Sequence, residues 1–559
     1  MGRNRSSGGQ SASATAGRSR RAGCVFRLIL PAVAGLTLCV YAAGWLIAWW
    51  NGAPAVQNLA LPPRPVAAGE VTLVADLTGR DPAGKPVLHH AVFDRLLRLI
   101  DDAGDVLILD QFLVNEFMTG ASGAPVPRDL SGELVAALVR KQAATPRLRV
   151  LFITDPVNGC YRPGCPPVLA PLVKAGIPVL VTDLDALPDR NWLVCPFQRV
   201  LGPLLDSLAP TRAASLPNPF GRDAGGMSAA DWCRLLTFKA NHRKVAACRT
   251  RNGRYEALVA SGNPHSASAA HGNLAVWLTG AAAGDILRAE TDLARGILLR
   301  SPDSCYTAPV PPWQLLRDLD SWPLPPPNSP SGRTGDRPGA PTPHAPRTGD
   351  RPVAPTIYYL TDARIGDTVD RLLAEAGPGD RVDALLFQLA DPRVIRAFQD
   401  AAARGAQVRL LLDSNDSAFG RDKRGLPNRV VAAAMYEWAG RHRAPLTLRW
   451  FATAGEQGHF KALRVAASGA TGRHDALLTG SANFTGRNLR GLTLESDLLL
   501  SPAGAAGRQF DGIFACLWEN RDGVVYSEPY PTRALAPGPA RWARQLAAAW
   551  AGITGFCTY

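Results

Sequence analysis

Residues 459–483, HFKALRVAASGATGRHDALLTGSAN, have a counterpart in residues 242–263, HRKVAACRTRNGRYEALVASGN. Each copy begins with His-x-Lys, continues as two apolar runs around a turn-forming segment, and ends in Ser-x-Asn. Alternate residues of a strand project from the same face, so we expect the histidine and lysine of each pair to point together. A lone His-x-Lys occurs often by chance, but two copies with the same continuation indicate a duplicated site.

The sequence around the two copies predicts two α/β halves of similar plan. Short apolar runs such as VTLVADL (71–77) and LRVLFITD (148–155) precede the first copy, and TIYYLTD (356–362) and VRLLLDSND (408–416) precede the second. Amphipathic stretches of helical period separate these runs. This alternation is typical of βαβ units with a largely buried sheet.

The length of 559 residues suggests two or three domains. A hydrophobic fraction of 46% and a charged fraction of 19% exclude wholesale disorder. Proline density predicts an extended surface linker between the halves. The predicted division is a basic cytoplasmic tail (1–27), a transmembrane helix (28–50), a first lobe (65–322), a proline-rich linker (323–356), a second lobe (357–530) and a C-terminal helical tail (531–559).

The amino terminus predicts a membrane anchor. Residues 28–50 contain no charged side chain, and as a helix they would be about 34 Å long, enough to cross a hydrocarbon core. Arginines precede the segment and tryptophans crowd its far end, so its start should be cytoplasmic. We therefore expect a single-pass protein of the inner (cytoplasmic) membrane with an extracytoplasmic, periplasmic catalytic part. A cleaved signal peptide or a twin-arginine signal is the alternative.

Charge and cysteine content fit an exported protein with an anionic substrate. Lysine and arginine exceed the acids by 14, and much of that excess lies in the first 27 residues, so the remaining body is only mildly basic. Eight of the ten cysteines follow the anchor, which is consistent with disulfides in an oxidising compartment. The close spacing of Cys160 and Cys165 predicts one bridge between them. No cysteine or histidine pattern favours zinc, and no cofactor is expected.

The paired motifs resemble those of the phospholipase D superfamily, which includes bacterial cardiolipin synthases, transphosphatidylases and some nucleases. That family has His-x-Lys, an aspartate five residues after the lysine, then GSxN and an acid ahead of a strand. The resemblance extends to GSANFTGRNL (480–489) and implies a two-lobed α/β sandwich, a pseudo-dimer whose motifs meet between the lobes. This sequence departs from the pattern at four positions, which are Arg249, Ala466, Ala260 and Asn273.

Attack on a phosphodiester needs a nucleophile, a proton donor for the leaving alkoxide and positive charge around the phosphoryl oxygens. We expect neutral His242 to form a phosphohistidine, the role that the resemblance implies for the amino-terminal histidine. Protonated His459 would donate to the leaving group. The phosphoryl oxygens would be held by two lysines, two amides and two hydroxyls, namely Lys244, Lys461, Asn263, Asn483, Ser261 and Ser481.

Two residues at strand starts are expected to orient the histidines. Glu495 would accept a hydrogen bond from His459 and raise its pKa, which suits an acid. Asn273 would orient His242 without adding charge. His265 and His271 lie near the first Ser-x-Asn and are candidates to line the pocket.

Three functions remain open from the sequence. The favoured one is a membrane-anchored phospholipid phosphodiesterase or transphosphatidylase of cardiolipin-synthase type. The others are an extracytoplasmic nuclease of the same superfamily and a degenerate, non-catalytic binding protein. No basic stripe with interleaved aromatic residues indicates nucleic-acid binding, and no obligate protein partner is evident.

Overall fold

The computed structural model describes residues 12–50, 61–67, 69–116, 127–162, 164–187, 189, 191–208, 216–220, 225–307, 311–325, 355–418, 421–422, 424–467, 475–534 and 542–546. Its helices are α1 (Ala12–Trp50), α2 (Val92–Asp102), α3 (Leu130–Ala144), α4 (Ala170–Lys174), α5 (Cys195–Leu208), α6 (Ala229–Leu236), α7 (Ala281–Arg300), α8 (Pro312–Asp320), α9 (Ala363–Glu375), α10 (Pro392–Ala403), α11 (Asn428–His442), α12 (Gly486–Leu489) and α13 (Gly504–Glu519).

The strands of the first half of the chain are β1 (Arg64–Pro65), β2 (Val71–Arg80), β3 (Pro86–His89), β4 (Ala103–Gln111), β5 (Arg149–Thr154), β6 (Val179–Val181), β7 (Ala240–Asn241), β8 (Lys244–Thr250), β9 (Tyr255–Ala260), β10 (Asn273–Thr279) and β11 (Cys305–Tyr306). Those of the second half are β12 (Thr356–Thr361), β13 (Arg381–Leu386), β14 (Gln407–Leu412), β15 (Ser417–Ala418), β16 (Arg421–Asp422), β17 (Leu446–Phe451), β18 (Lys461–Ala466), β19 (Ala476–Gly480), β20 (Thr493–Leu494), β21 (Ser496–Leu500) and β22 (Ser527–Pro529).

Two nine-stranded sheets organise the α/β fold. Their orders are β11-β6-β5-β4-β8-β9-β10-β2-β3 and β22-β17-β14-β13-β18-β19-β21-β12-β1. Three neighbouring strands in each sheet run parallel, β4-β5-β6 and β13-β14-β17, and the remaining ladders are antiparallel. Each sheet therefore combines parallel and antiparallel strand pairs. The antiparallel pairs arise because β-hairpins follow the parallel strands along the chain.

The central strands are buried on both faces, as their apolar runs predict. Leu107, Ile108 and Leu109 in β4 are fully buried, and so are Leu385 and Leu386 in β13. One apolar cluster contains residues of both sheets together with buried faces of α7 and α13. The two halves therefore share a core.

The first described strand after α1 joins the second sheet. Arg64 and Pro65 of β1 pair with Ile357 and Thr356 of β12, and the Arg64 guanidinium lies 2.7 Å from the Asp285 carboxylate of α7. The chain leaving α1 is thus bound to both halves.

Helix α1 includes the predicted transmembrane segment and begins earlier, at Ala12. Pro31–Trp50 is long and apolar enough to cross a membrane. The predicted disulfide is wrong: Cys160 and Cys165 are both free thiols. Asn218 donates to the sulfur of Cys160 (Nδ2–Sγ 3.3 Å), and the Cys165 sulfur lies 3.6 Å from the Pro166 carbonyl oxygen.

Candidate functional site

Each histidine lies against the backbone of the other half of the chain. Strand β7 pairs in parallel with β20, and the His242 N–H donates to the Leu494 carbonyl (2.8 Å). In the matching contact, the His459 N–H donates to the Gly272 carbonyl (2.8 Å). Leu494 and Gly272 directly precede Glu495 and Asn273, so each histidine is placed beside the orienting residue of the opposite half.

The side chains follow this crossed arrangement, and the expected partners are therefore wrong. The Nδ1 of His242 lies 2.9 and 3.0 Å from the two carboxylate oxygens of Glu495. The Nδ1 of His459 lies 3.3 Å from the Oδ1 of Asn273. The sequence analysis paired each histidine with the acid or amide of its own half, because it followed distance along the chain.

Asn273 is held by a buried carboxylate that the sequence analysis did not identify. Its Nδ2 donates to the Oδ2 of Asp76 (3.1 Å) and to the His271 carbonyl (3.2 Å), which leaves its Oδ1 to accept from His459. The other oxygen of Asp76 accepts the Ala91 and Val92 amides at the start of α2 (2.7 and 2.9 Å). Asp76, Asn273 and His459 thus form a hydrogen-bonded chain.

Glu495 is held by several donors. Thr493 donates to its Oε1 at 2.9 Å, Asn488 also donates to Oε1, and Ser481 donates to Oε2 through a short hydrogen bond. Its backbone N–H donates to Asp362 (2.8 Å). The carboxylate that faces His242 is therefore fixed in position.

The Ser-x-Asn segments have roles that partly differ from those expected. The single hydroxyl proton of Ser481 goes to Glu495, and the Ser261 hydroxyl accepts the Leu274 N–H (2.9 Å). Ser481 therefore positions Glu495, and Ser261 stabilises its hairpin. Asn263 and Asn483 are both buried, and among the described residues the Oδ1 of each has no hydrogen-bond partner. Each of these amide oxygens is therefore an acceptor left open to a donor from a ligand or from water.

The two lysines have matching environments. The Nζ of Lys244 donates to the His242 carbonyl (2.6 Å), and the Nζ of Lys461 donates to the His459 carbonyl (2.9 Å). Each ammonium retains further N–H groups for a phosphoryl oxygen. An aromatic ring stands beside each motif: Phe112 is 4.7 Å from the His242 ring and 5.0 Å from Lys244 Nζ, and Phe387 is 4.8 Å from the His459 ring and 5.3 Å from Lys461 Nζ.

Two buried aspartates support the motif backbones in the same way. Asp155 follows β5 and accepts the N–H of Asn241, while Asp413 follows β14 and accepts the N–H of Gly458, both at 2.7 Å. Each acceptor therefore fixes the residue that precedes a motif histidine. Burial raises the pKa of Asp155 to about 7 and that of Asp413 to about 6, although their backbone hydrogen bonds oppose the shift.

His271 lies at the site, and His265 is buried near it. The His271 ring centre is 6.0 Å from that of His459, and its Nδ1 accepts the Gln457 N–H (3.2 Å). Burial lowers the pKa of His271 to about 3, with a further contribution from His265. His271 is therefore a neutral neighbour of His459.

Burial disfavours positive charge throughout the unliganded site. Burial lowers the pKa of His242 to about 4, although Glu495 acts in the opposite direction. Burial also lowers the pKa of Lys244 to about 7. The pKa values of His459 and Lys461 are depressed well below normal, first by burial and then by neighbouring cations. Burial alone would raise the pKa of Glu495, but His242 and Lys244 outweigh it and the net shift is downward. An anion entering the site would reverse these depressions.

Chemically, the site combines two imidazoles, two lysines and two side-chain amides, all of which carry groups that can contact an anion. Among the described residues, no three His, Cys, Asp or Glu side chains are grouped so as to hold a metal ion. Residues 369–518 match the family model described as a cardiolipin synthase, phospholipase D-like domain.

The second half of the chain therefore matches a phospholipase D-like domain, over residues 369–518. The crystal structure of phosphatidylserine synthase from Haemophilus influenzae Rd KW20 matches with a TM-score of 0.50 and 11% identity, covering 88% of this chain and 97% of that one, which shows a shared fold. Nuc, a phospholipase D family member from Salmonella typhimurium, matches with a TM-score of 0.24 and 16% identity over 32% of this chain and 98% of its own. Polyphosphate kinase from Porphyromonas gingivalis matches with a TM-score of 0.39 and 12% identity, covering 86% of this chain and 56% of that one. Comparison with curated proteins gave no significant match.

Five residues of the site were not predicted from the sequence, namely Phe112, Phe387, Asp155, Asp413 and Asp76. The first four form two matching pairs at the carboxyl ends of corresponding strands, so an alignment of the two halves could have revealed them. Asp76 carried no such signal, because its partner Asn273 lies across an antiparallel ladder nearly two hundred residues away.

Proposed function

We propose that this protein is a membrane-anchored phosphodiesterase of phospholipase D type that acts on phospholipids, by hydrolysis or by transfer to an alcohol, through a phosphohistidine on His242. The observation that carries the proposal is the crossed pairing of His242 with Glu495 and of His459 with Asn273. This pairing gives the two imidazoles different partners, one charged and one neutral, and therefore different roles.

His242 is the nucleophile. Glu495 accepts the Nδ1–H, which leaves the lone pair of Nε2 for attack on phosphorus. As the N–P bond forms, the imidazole becomes cationic, and the adjacent carboxylate stabilises that charge. The ester P–O bond breaks, and the leaving alkoxide takes a proton from Nε2 of His459.

His459 is the general acid and then the base. Asn273 accepts its Nδ1–H in both protonation states, so the ring keeps its orientation when Nε2 loses its proton. The neutral ring then removes a proton from water or an alcohol, whose oxygen attacks phosphorus and releases His242. Lys244, Lys461 and the amides of Asn263 and Asn483 hold the phosphoryl oxygens throughout.

The anchor supports a lipid substrate. The apolar part of α1 would hold the chain at a bilayer, and the family model is named for cardiolipin synthase. The basic flank before residue 28 supports a catalytic part outside the cytoplasm, in the periplasm. The lobes, 65–322 and 357–530, would act as a pseudo-dimer with one site between them.

The test compares substrates and variants in the full-length chain. Purified protein is given phosphatidylglycerol vesicles and single-stranded DNA at equal phosphate concentration. We expect turnover of the lipid, loss of that turnover in His242→Ala, and retention in His442→Ala, since His442 is an exposed residue at the end of α11. Cleavage of DNA alone, or full lipid turnover in His242→Ala, would contradict the proposal.

The covalent step has its own test. The reaction is stopped at alkaline pH, where a phosphorus–nitrogen bond survives, and peptides are mapped by mass spectrometry. We expect the phosphoryl adduct on His242. An adduct on His459 would reverse the assigned roles.

A further inference from the structure

Helix α5 belongs to a segment with no equivalent in the second half of the chain. Residues 182–243 separate β6 from β8, whereas only residues 452–460 separate the corresponding strands β17 and β18. This long segment includes α5 and α6, and α5 packs against the apolar part of α1. The extra segment is therefore the part of the catalytic body that contacts the predicted anchor.

The contact between α1 and α5 lies well inside the apolar stretch. The Tyr41 hydroxyl donates to the Trp192 carbonyl (3.0 Å), and its ring is 5.5 Å from that of Phe197. A side chain on Gly44 would overlap the Pro196 carbonyl, so only glycine permits this approach. Tyr41 precedes the end of α1 at Trp50 by about 13 Å of helix.

A helix touching α1 at that depth cannot lie in bulk water while Pro31–Trp50 spans a bilayer. The surface of α5 and of the residues just before it is suited to contact with lipid, because two large apolar side chains are exposed there. Trp192 is 52% exposed and Leu204 is 49% exposed. Tryptophan favours the membrane interface, where amphipathic helices lie with one face in the acyl region.

The charged side chains of α5 are neutralised by the protein. Arg199 pairs with Asp189 at 2.5 Å, and Asp206 pairs with Arg234 of α6. Pairing removes much of the cost of moving charges towards hydrocarbon. The paired charges leave the apolar residues as the membrane-facing surface.

We propose that α5, with Trp192, is a second membrane-embedded element, held in the outer face of the bilayer by close packing on Gly44 of α1. The partner is a lipid surface, and the inference rests on the anchoring part of the proposed function. The Asn191 side chain ties the start of this region to the Leu236 carbonyl at the end of α6 (2.9 Å), six residues before His242. The membrane contact is thereby joined to the first motif.

The test uses photo-crosslinking in the full-length chain reconstituted in phosphatidylglycerol-containing vesicles. Benzoylphenylalanine is placed singly at Trp192, at Leu38 of α1, which is 71% exposed, and at Trp313 of α8, which is 56% exposed. We expect lipid adducts from positions 38 and 192 and none from position 313. Lipid adducts from position 38 but not from position 192 would overturn this proposal alone. The absence of an adduct from position 38 would overturn the proposed anchoring as well.

A matched pair of glycine variants tests the packing. Gly44→Ile should remove most of the adduct at position 192, whereas Gly35→Ile should leave it unchanged, because nothing lies within 4 Å of a side chain at Gly35. An equal yield in the two variants would contradict the role of Gly44. An adduct at 313 as strong as at 192 would show unspecific labelling and would also contradict the proposal.

Discussion

His242 and His459 differ in the group that holds their Nδ1 atoms, and this difference predicts different responses to mutation. In the proposed mechanism, Glu495→Gln would remove the charge that stabilises a cationic phosphohistidine. We expect slower formation of the covalent intermediate with good and poor leaving groups alike, by about 10²–10⁴-fold on the general scale of such effects. Rapid-quench measurement of the adduct checks this, with the exposed Glu519→Gln as control.

Asn273→Ala should act on the other step. His459 then loses its acceptor, so protonation of a poor leaving group should slow strongly, while an activated ester with a phenolate leaving group should react almost normally. Steady-state rates with the two ester types separate the cases. An equal loss on both substrates would contradict the acid role of His459.

In the hydrogen-bonded series Asp76–Asn273–His459, the carboxylate and the amide can be exchanged between positions 76 and 273. The double variant Asp76→Asn, Asn273→Asp keeps the hydrogen bond but moves the carboxylate next to His459. A nearby carboxylate raises the pKa of an imidazole, so the basic limb of the pH–rate profile should move to higher pH. An unchanged basic limb would show that His459 is not the acid that titrates there.

At the scale of elements, Asp155 and Asp413 support equivalent loops, and their titration has a definite sign. Because burial raises the pKa of Asp413 to about 6, the folded state binds more protons than the unfolded state between about pH 4 and 6. Its contribution to the free energy of unfolding therefore falls as pH rises through that window. Asp413→Asn removes this fall.

The stability deficit of Asp413→Asn relative to wild type should accordingly shrink as pH rises from about 4 to 6. Chemical denaturation of the full-length protein at several pH values measures it. Asp511→Asn, at a partly exposed aspartate of α13, serves as the control. A deficit that grows with pH would contradict the raised pKa.

The elements also show what the sequence could and could not predict. Apolar periodicity predicted β2, β5, β12 and β14, because local burial imposes that pattern. The repeated His-x-Lys predicted the site, because both copies carry the same local signal. The crossed pairing was not predictable, because Glu495 reaches His242 through the pairing of β20 with β7 and no local pattern encodes a contact of that range.

At the scale of the whole molecule, the two halves should remain together after the chain is cut between them. They share an apolar core, and buried Arg243 of the first half lies 3.6 Å from Asp362 of the second half. With a protease site replacing residues 336–341, we expect the cut fragments to co-elute and to retain lipid turnover. Separation of active fragments would contradict a site built from both halves.

Topology is a second prediction at this scale. A reporter that is active only outside the cytoplasm should be active when fused after Thr356, because the arginine-rich flank keeps the start of the anchor inside. A fusion active only as a cytoplasmic reporter would reverse the orientation.

The position of β1 has a consequence for how the protein is made. In the proposed topology, Arg64 and Pro65 would leave the membrane early during export, yet their partners Thr356 and Ile357 are translated almost three hundred residues later. Strand β1 would therefore stay unpaired until the second sheet had crossed the bilayer. Closure of so long a loop is entropically costly and comes late in folding. In that topology, the pairing of β1 with β12 would form only after the chain had been fully translocated.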